Sequence, residues 1–347
     1  SRRSPWRGAT STCTARRLRA PPRKGLIAAQ LPAAALLIFY IGRELAKRWS
    51  DFRATPLETD IAPGTILVSG AIVLGAYALL VQTWRILLAG TGASLSFWNA
   101  ARIWSISNLW RYVPGKVWQI GVMGSMAQRE QVSGVAAAGT AIISTILNIA
   151  TGIALVLLVG WRSLVQWNAG AHPVAIALLV AAVLGLAALP YVLPRVSAFA
   201  ARLTGRDVRI VAPPRWAIVL ATVGNLLSWI LYGMAFQWLA RGLIAGGGAA
   251  PAWQYIAVFA ASYVVGYLFL FIPGGLGPRE VVMLYMLTSL SMATPKEAAL
   301  IAAGSRIWLT FLELVPGLVF LAYGRIRRPP QLTQRSDVSS GPPTAAP

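Results

Sequence analysis

Two proline–glycine breaks interrupt strongly apolar stretches of this chain, and cations flank both. The first reads Arg111-Tyr112-Val113-Pro114-Gly115-Lys116-Val117-Trp118. The second reads Phe271-Ile272-Pro273-Gly274-Gly275-Leu276-Gly277-Pro278-Arg279-Glu280. Proline removes a backbone donor and glycine permits tight turns, so neither stretch can continue as one unbroken helix. Inside a bilayer, broken backbone survives only where it is buried in protein or lines a wet cavity. Two interrupted segments in corresponding halves of a chain point to a binding site at their meeting place.

The apolar setting of these breaks defines the class. Of 347 residues, 56% are hydrophobic and 12% charged, against roughly 25% charged in an ordinary soluble domain. Several runs reach the roughly 20 apolar residues that span hydrocarbon. The chain reads as an all-α polytopic membrane protein. Its formal charge of +21 would suggest nucleic acid in a soluble protein. Here most cations fall at segment ends, where they set topology, and no nucleic-acid partner is expected. The single cysteine, Cys13, and single histidine, His172, exclude a disulfide framework and a histidine-rich metal site. There is no Gly-x-x-x-x-Gly-Lys-Ser/Thr loop for ATP and no Ser/His/Asp set. No metal, cofactor or catalytic residue is expected.

The runs place about six full spans near 26–42, 65–89, 134–159, 174–193, 216–240 and 300–323. Regions 97–128 and 253–291 each read as a re-entrant hairpin folded at its Pro-Gly break. For 97–128 the alternative is a helix lying flat in the interface. For 253–272 the alternative is a full span. Residues 1–25 carry eight Lys/Arg and no acid and are expected to form a disordered cytoplasmic tail. Residues 26–323 form the transmembrane domain, and 324–347 a second disordered tail. Loop 194–215 carries Arg195, Arg202, Arg206, Arg209 and Arg215, whereas 160–173, 241–252 and 292–299 hold one Lys/Arg each. This bias predicts a multi-pass protein of the cell (plasma) membrane with both termini cytoplasmic.

An internal repeat is visible at a shift of 165. Ala137-Ala138-Gly139 matches Ala302-Ala303-Gly304. Ile142, Thr145, Leu147 and Gly152 match Ile307, Thr310, Leu312 and Gly317. A break precedes each copy, so the halves run from about 65 to 159 and from 216 to 323. In the six-span layout the two copies cross in opposite directions, which predicts an inverted repeat with hairpin tips meeting near the midplane.

Six ionisable residues fall inside the proposed membrane segments: Arg111, Lys116, Arg279, Glu280, Arg306 and Glu313. Each costs about 2.5–3.5 kcal/mol at bilayer depth on insertion scales, so such residues face a bundle interior or water. Four cations against two anions leave +2, which a phosphate would offset. Arginine suits phosphate through its planar fork. Arg111, Lys116, Arg279 and Arg306 are therefore candidate phosphate ligands, with Glu280 and Glu313 as charge partners. Glu280 also suits the first turn of a helix starting at Pro278. Asn148 stands at the repeat position of Glu313.

Asn108 through Trp118, with Tyr112-Val-Pro-Gly-Lys116-Val-Trp118, then Pro273-Gly-Gly-Leu-Gly-Pro-Arg279-Glu280, and Arg306 with Pro316-Gly317 resemble the flippase-like transmembrane domain of lysylphosphatidylglycerol synthetases over roughly 65–323. Members often carry charges in the span after the first break, whereas Thr140–Asn148 here carries none. Only 24 residues follow 323, too few for the soluble aminoacyl-transferring domain. The resemblance therefore implies lipid translocation rather than lipid aminoacylation. The expected ligand is an anionic membrane lipid, either a phospholipid or a polyprenyl-phosphate-linked lipid. A separate lipid-modifying or glycosyl-transferring enzyme is a possible partner. Two other classes stay open: a glycosyltransferase-like membrane enzyme using Glu44, Asp51, Glu58 or Asp60, and a scaffold for a partner synthase.

Overall fold

The computed structural model describes residues 61–112, 117–167, 213–268, 275, 277–326 and scattered positions between 180 and 195. Among them every regular element is helical. The order is α1 (Pro63–Ala89), α2 (Phe97–Asn108) with a 3-10 turn at Leu109–Tyr112, α3 (Val117–Arg129) and α4 (Gly134–Trp167). There follow α5 (Arg215–Leu243), α6 (Ala252–Leu268), α7 (Pro278–Ser289) and α8 (Pro295–Ile326).

Four stretches are long and apolar enough to cross a membrane: Pro63–Ala89, Gly134–Val159, Arg215–Leu243 and Pro295–Tyr323. They coincide with four of the expected spans. Expected span 26–42 and tail 1–25 lie outside the described residues, as does most of 174–193. Within 174–193, positions 180, 183–185, 187, 188, 191 and 192 are helical. The last helix begins at Pro295 rather than near 300. There, the Thr294 backbone N–H and hydroxyl donate to Glu297 Oε2 at 2.8 and 2.9 Å, and proline is tolerated in the first turn. It also runs on to Ile326, past the expected end at 323.

The short helices flank the breaks. α2, α3, α6 and α7 have 12, 13, 17 and 12 residues, roughly 18–26 Å at 1.5 Å per residue, less than the ~30 Å hydrocarbon core. α2 and α3 pack antiparallel. Gln119 Nε2 donates to Asn108 Oδ1 at 2.6 Å beside the break. At the open end Glu130 accepts from Asn99 and pairs with Arg102.

α1 and α5 form the central pair and run antiparallel along their whole length. The Ala62 N–H donates to the Gly242 carbonyl at 3.1 Å. Ser69 Oγ donates to the Ala235 carbonyl at 2.7 Å, and Gly90 lies against Pro214 and Ala217 at the other end. The remaining packing comes in matched pairs: α1 on α2 and α5 on α6; α2 on α3 and α6 on α7; α3 on α4 and α7 on α8; α2 on α8 and α6 on α4. Gly152 and Gly317, equivalent at the 165 shift, occupy matching contacts. Gly152 meets Val264 of α6, and Gly317 meets Ser105 of α2 and the adjacent Leu109.

The core is aromatic. Trp84, Trp229, Tyr255 and Phe259 are fully buried. Two buried indole donors find partners: Trp84 Nε1 reaches Thr140 Oγ1 at 3.1 Å and Trp229 Nε1 the Asn148 carbonyl at 3.0 Å. Outward-facing Leu67, Val219, Ile307 and Val319 are exposed, as suits hydrocarbon.

Gly233 of α5 sits so close to α6 that a Cβ would lie 2.4 Å from Ile256 Cα, whereas nothing approaches Gly75 within 4 Å. Gly233→Val is expected to destabilise by about 1–3 kcal/mol through forced separation of the helices. Gly75→Ala should leave the melting temperature unchanged or raised. Thermal unfolding in detergent compares the two.

Candidate functional site

Arg111 lies in the 3-10 turn after α2, just before the first break. Its Nη1 donates to Glu313 Oε1 at 2.7 Å and to the Tyr263 hydroxyl at 3.0 Å. Both members of this ion pair are largely buried, their side chains 17% and 9% exposed. Glu313 comes from α8 and Tyr263 from α6, so this one guanidinium joins three separate elements.

Arg279 opens α7, just after the second break. Two glycines in the left-handed region deliver it: Gly275 at φ 68° and Gly277 at φ 93°, conformations that favour residues without Cβ. A Cβ on Gly275 would also lie 3.0 Å from the Gly266 backbone. Arg279 is 6% exposed. Its guanidinium lies 4.7 Å from the Tyr263 ring centre and 5.2 Å from that of Phe259, a cation–π arrangement. Its Nη2 is buried with no hydrogen-bond partner among the described residues. Tyr263 therefore holds one arginine at its hydroxyl and the other on its ring face.

Glu280 uses Oε2 to accept from the Gly277 N–H at 2.7 Å, which caps α7. Its Oε1 lies 3.8 Å from Arg306 Nη1. Arg306 and Glu313, seven residues apart on one face of α8, thus serve different partners. Pro114, Gly115, Lys116, Pro273 and Gly274 lie outside the described residues, as do Glu44, Asp51, Glu58 and Asp60. Among the described cations of the intramembrane set, Arg279 is the one that meets no carboxylate.

A cavity of about 100 Å³ adjoins Arg111, well above the ~10–15 Å³ that one water occupies. Tyr77, Trp104, Trp229, Tyr232, Tyr263 and Tyr267 supply its aromatic walls. Asn108, Gln119, Ser144, Thr145, Asn148 and Asn225 supply its polar ones. Asn148 Nδ2 donates to Asn225 Oδ1 at 3.0 Å, so the repeat position of Glu313 carries a neutral pair.

The sequence reading missed Tyr263, Tyr267 and Asn225. Tyrosines inside an apolar run read as core, yet Tyr263 and Tyr267 stand one helical turn apart just before a break, a usable signal. Asn225 is a bare amide at bilayer depth, where polar groups are costly and need partners.

Residues 25–317 match the family described as the lysylphosphatidylglycerol synthase TM region. The chain belongs to that family. The family match begins at residue 25, ahead of the 65 from which the motifs alone carried the resemblance, and it takes in both arginine-bearing breaks. No curated protein matches the chain. Family and helices together make it a multi-pass membrane protein with a lipid-related role.

Removing one partner of a buried ion pair leaves an uncompensated charge and costs about 3–5 kcal/mol. Glu313→Gln and Arg111→Gln are each expected to lower stability by that order. The double variant should lose less than the sum of the singles, measured as a coupling term by unfolding in detergent.

Proposed function

We propose that this member of the family moves a phosphate-bearing lipid between the leaflets of the plasma membrane, with its phosphate seated between the two breaks. One observation carries the reading: Arg111 and Arg279, each beside a different break, meet on the same tyrosine. The +2 excess of the intramembrane set resolves accordingly. Arg111 is balanced by Glu313 and Arg306 faces Glu280, while Arg279 keeps a buried Nη2 with no partner among the described residues. A phosphate oxygen is the acceptor such a group lacks. Arg279 makes the direct contact, and Arg111, held in its pair with Glu313, stands beside it. Arg306 adds to the positive surroundings, and Lys116 is the remaining proposed ligand.

The inverted arrangement belongs to the same proposal. It is supported by the antiparallel α1–α5 pair and by the matched packing of the two series. The layout with both termini cytoplasmic puts residues 62, 242 and 304 toward one side and 90 and 214 toward the other. Neighbours agree with this: Ala62 bonds Gly242, Gly304 meets Leu243, and Gly90 meets Pro214. On this reading the two broken pairs are re-entrant hairpins, and rocking of the halves exposes the seat to each leaflet in turn. No covalent step is required, so the chain is a transporter rather than an enzyme. A separate lipid-modifying or glycosyl-transferring enzyme supplies its lipid.

Arg279→Gln removes the cation without stranding a carboxylate. It should slow lipid translocation in proteoliposomes at least tenfold while the protein inserts and melts normally. Arg279→Lys should recover only part of the rate, because an ammonium lacks the planar fork. Movement at the native rate by a normally inserted Arg279→Gln protein would overturn the seat.

A further inference from the structure

We infer that the cavity beside Arg111 accepts an uncharged, hydroxyl-rich head group, a glycerol or cyclitol rather than an aminoacyl, seryl or choline group. The inference rests on the lipid reading above and specifies its substrate. Charge is the first argument. Among the described residues lining the cavity, Arg111 is the one charged side chain, and Glu313 already neutralises it at 2.7 Å. An ammonium on the head group would find no spare carboxylate there and would face Arg111. Burying it unpaired is costly.

The polar lining is the second argument. A hydroxyl both donates and accepts, and so does an amide. Asn108 and Gln119 meet each other through one arm each, and Asn148 meets Asn225. The outer arms, Asn148 Oδ1, Asn108 Nδ2 and Gln119 Oε1, have no protein partner among the described residues. Ser144 and Thr145 add hydroxyls to the same wall. Donors and acceptors thus alternate around the space, which suits several hydroxyls and offers nothing specific to a quaternary ammonium.

The aromatic walls are the third. They suit the C–H faces of a polyol, because ring faces are electron-rich. They would also suit choline, but a choline ammonium, like any other, would face Arg111 and find no spare carboxylate. Ser144, Thr145 and Asn148 of α4 supply part of the polar wall with uncharged amide and hydroxyl groups.

The test is competitive retention, read by native mass spectrometry of the full chain in detergent. Phosphatidylglycerol, phosphatidylinositol, phosphatidylserine, phosphatidic acid and lysyl-phosphatidylglycerol are offered together with identical acyl chains. Phosphatidylserine matches phosphatidylglycerol in net charge but carries a charged head, and phosphatidic acid carries no head group. The glycerol and inositol lipids should be retained at least tenfold over the other three. Asn148→Asp puts a carboxylate in the wall and should shift the ratio toward the lysyl lipid at least fivefold. Should that variant not fold, the native comparison decides alone. Equal retention of phosphatidylserine, preference for the lysyl lipid, or retention of none overturns the inference. Translocation of phosphatidylglycerol in proteoliposomes is measured separately. Selective retention without movement would sink the transport reading and leave the head-group assignment standing.

Discussion

A guanidinium at bilayer depth must be paired, stacked or solvated, and the rest of this structure is organised around meeting that demand for Arg111 and Arg279. Water is scarce in hydrocarbon, so each cation draws several elements toward it. Arg111 takes a carboxylate from α8 and a hydroxyl from α6. Arg279 takes two ring faces from α6. Because Tyr263 serves both, α6 cannot shift without disturbing each. The link ties the first broken pair to the second, and both to the last span. A buried ion pair is weak evidence for stability in itself, since desolvation offsets much of its attraction. Its value here is specificity: it selects one register of α8 against the turn that follows α2.

The backbone geometry makes that convergence possible. Helices of 12 to 17 residues are shorter than the hydrocarbon core, and Arg111 and Arg279 lie buried beside their break-side ends. Glycine is needed at the second break for two separate reasons. Positive φ at Gly275 and Gly277 turns the chain, and the approach of Gly275 to Gly266 leaves no room for a side chain. The adjacent cap, in which Glu280 accepts the Gly277 N–H, satisfies an early donor of α7 and fixes where Arg279 projects. Gly152 and Gly317 then allow α4 to approach α6 and α8 to approach α2.

Much of this was legible in the amino-acid order, and the boundary is physical. Long apolar runs are dictated by hydrocarbon thickness, so the four described spans fell where composition put them. The breaks were legible because proline and glycine act locally. The partner of Arg111 was not, because 202 residues separate it from Glu313 and no local rule chooses among distant carboxylates. The spacing of Arg306 and Glu313 correctly put them on one face, yet a shared face says nothing about which neighbours lie opposite. Tyr263 was hidden for another reason. A tyrosine in an apolar run has the same pattern whether its hydroxyl is idle or holds an arginine.

On the proposed repeat, Asn148 and Glu313 stand at equivalent positions and differ in chemistry. At Glu313 the carboxylate answers Arg111, which follows α2. At Asn148 an amide meets a second amide, Asn225, and no charge enters. Had Asn148 been a carboxylate, the cavity would carry a net negative charge and favour cationic head groups. Had Glu313 been an amide, Arg111 would stand uncompensated and lose its ionic link to α8. On the transport reading, arginines from both halves hold the phosphate, and the amide pair helps to grip a neutral head group. A symmetric bundle, with the same charge at both positions, would hold both ends of the lipid by charge and release neither easily.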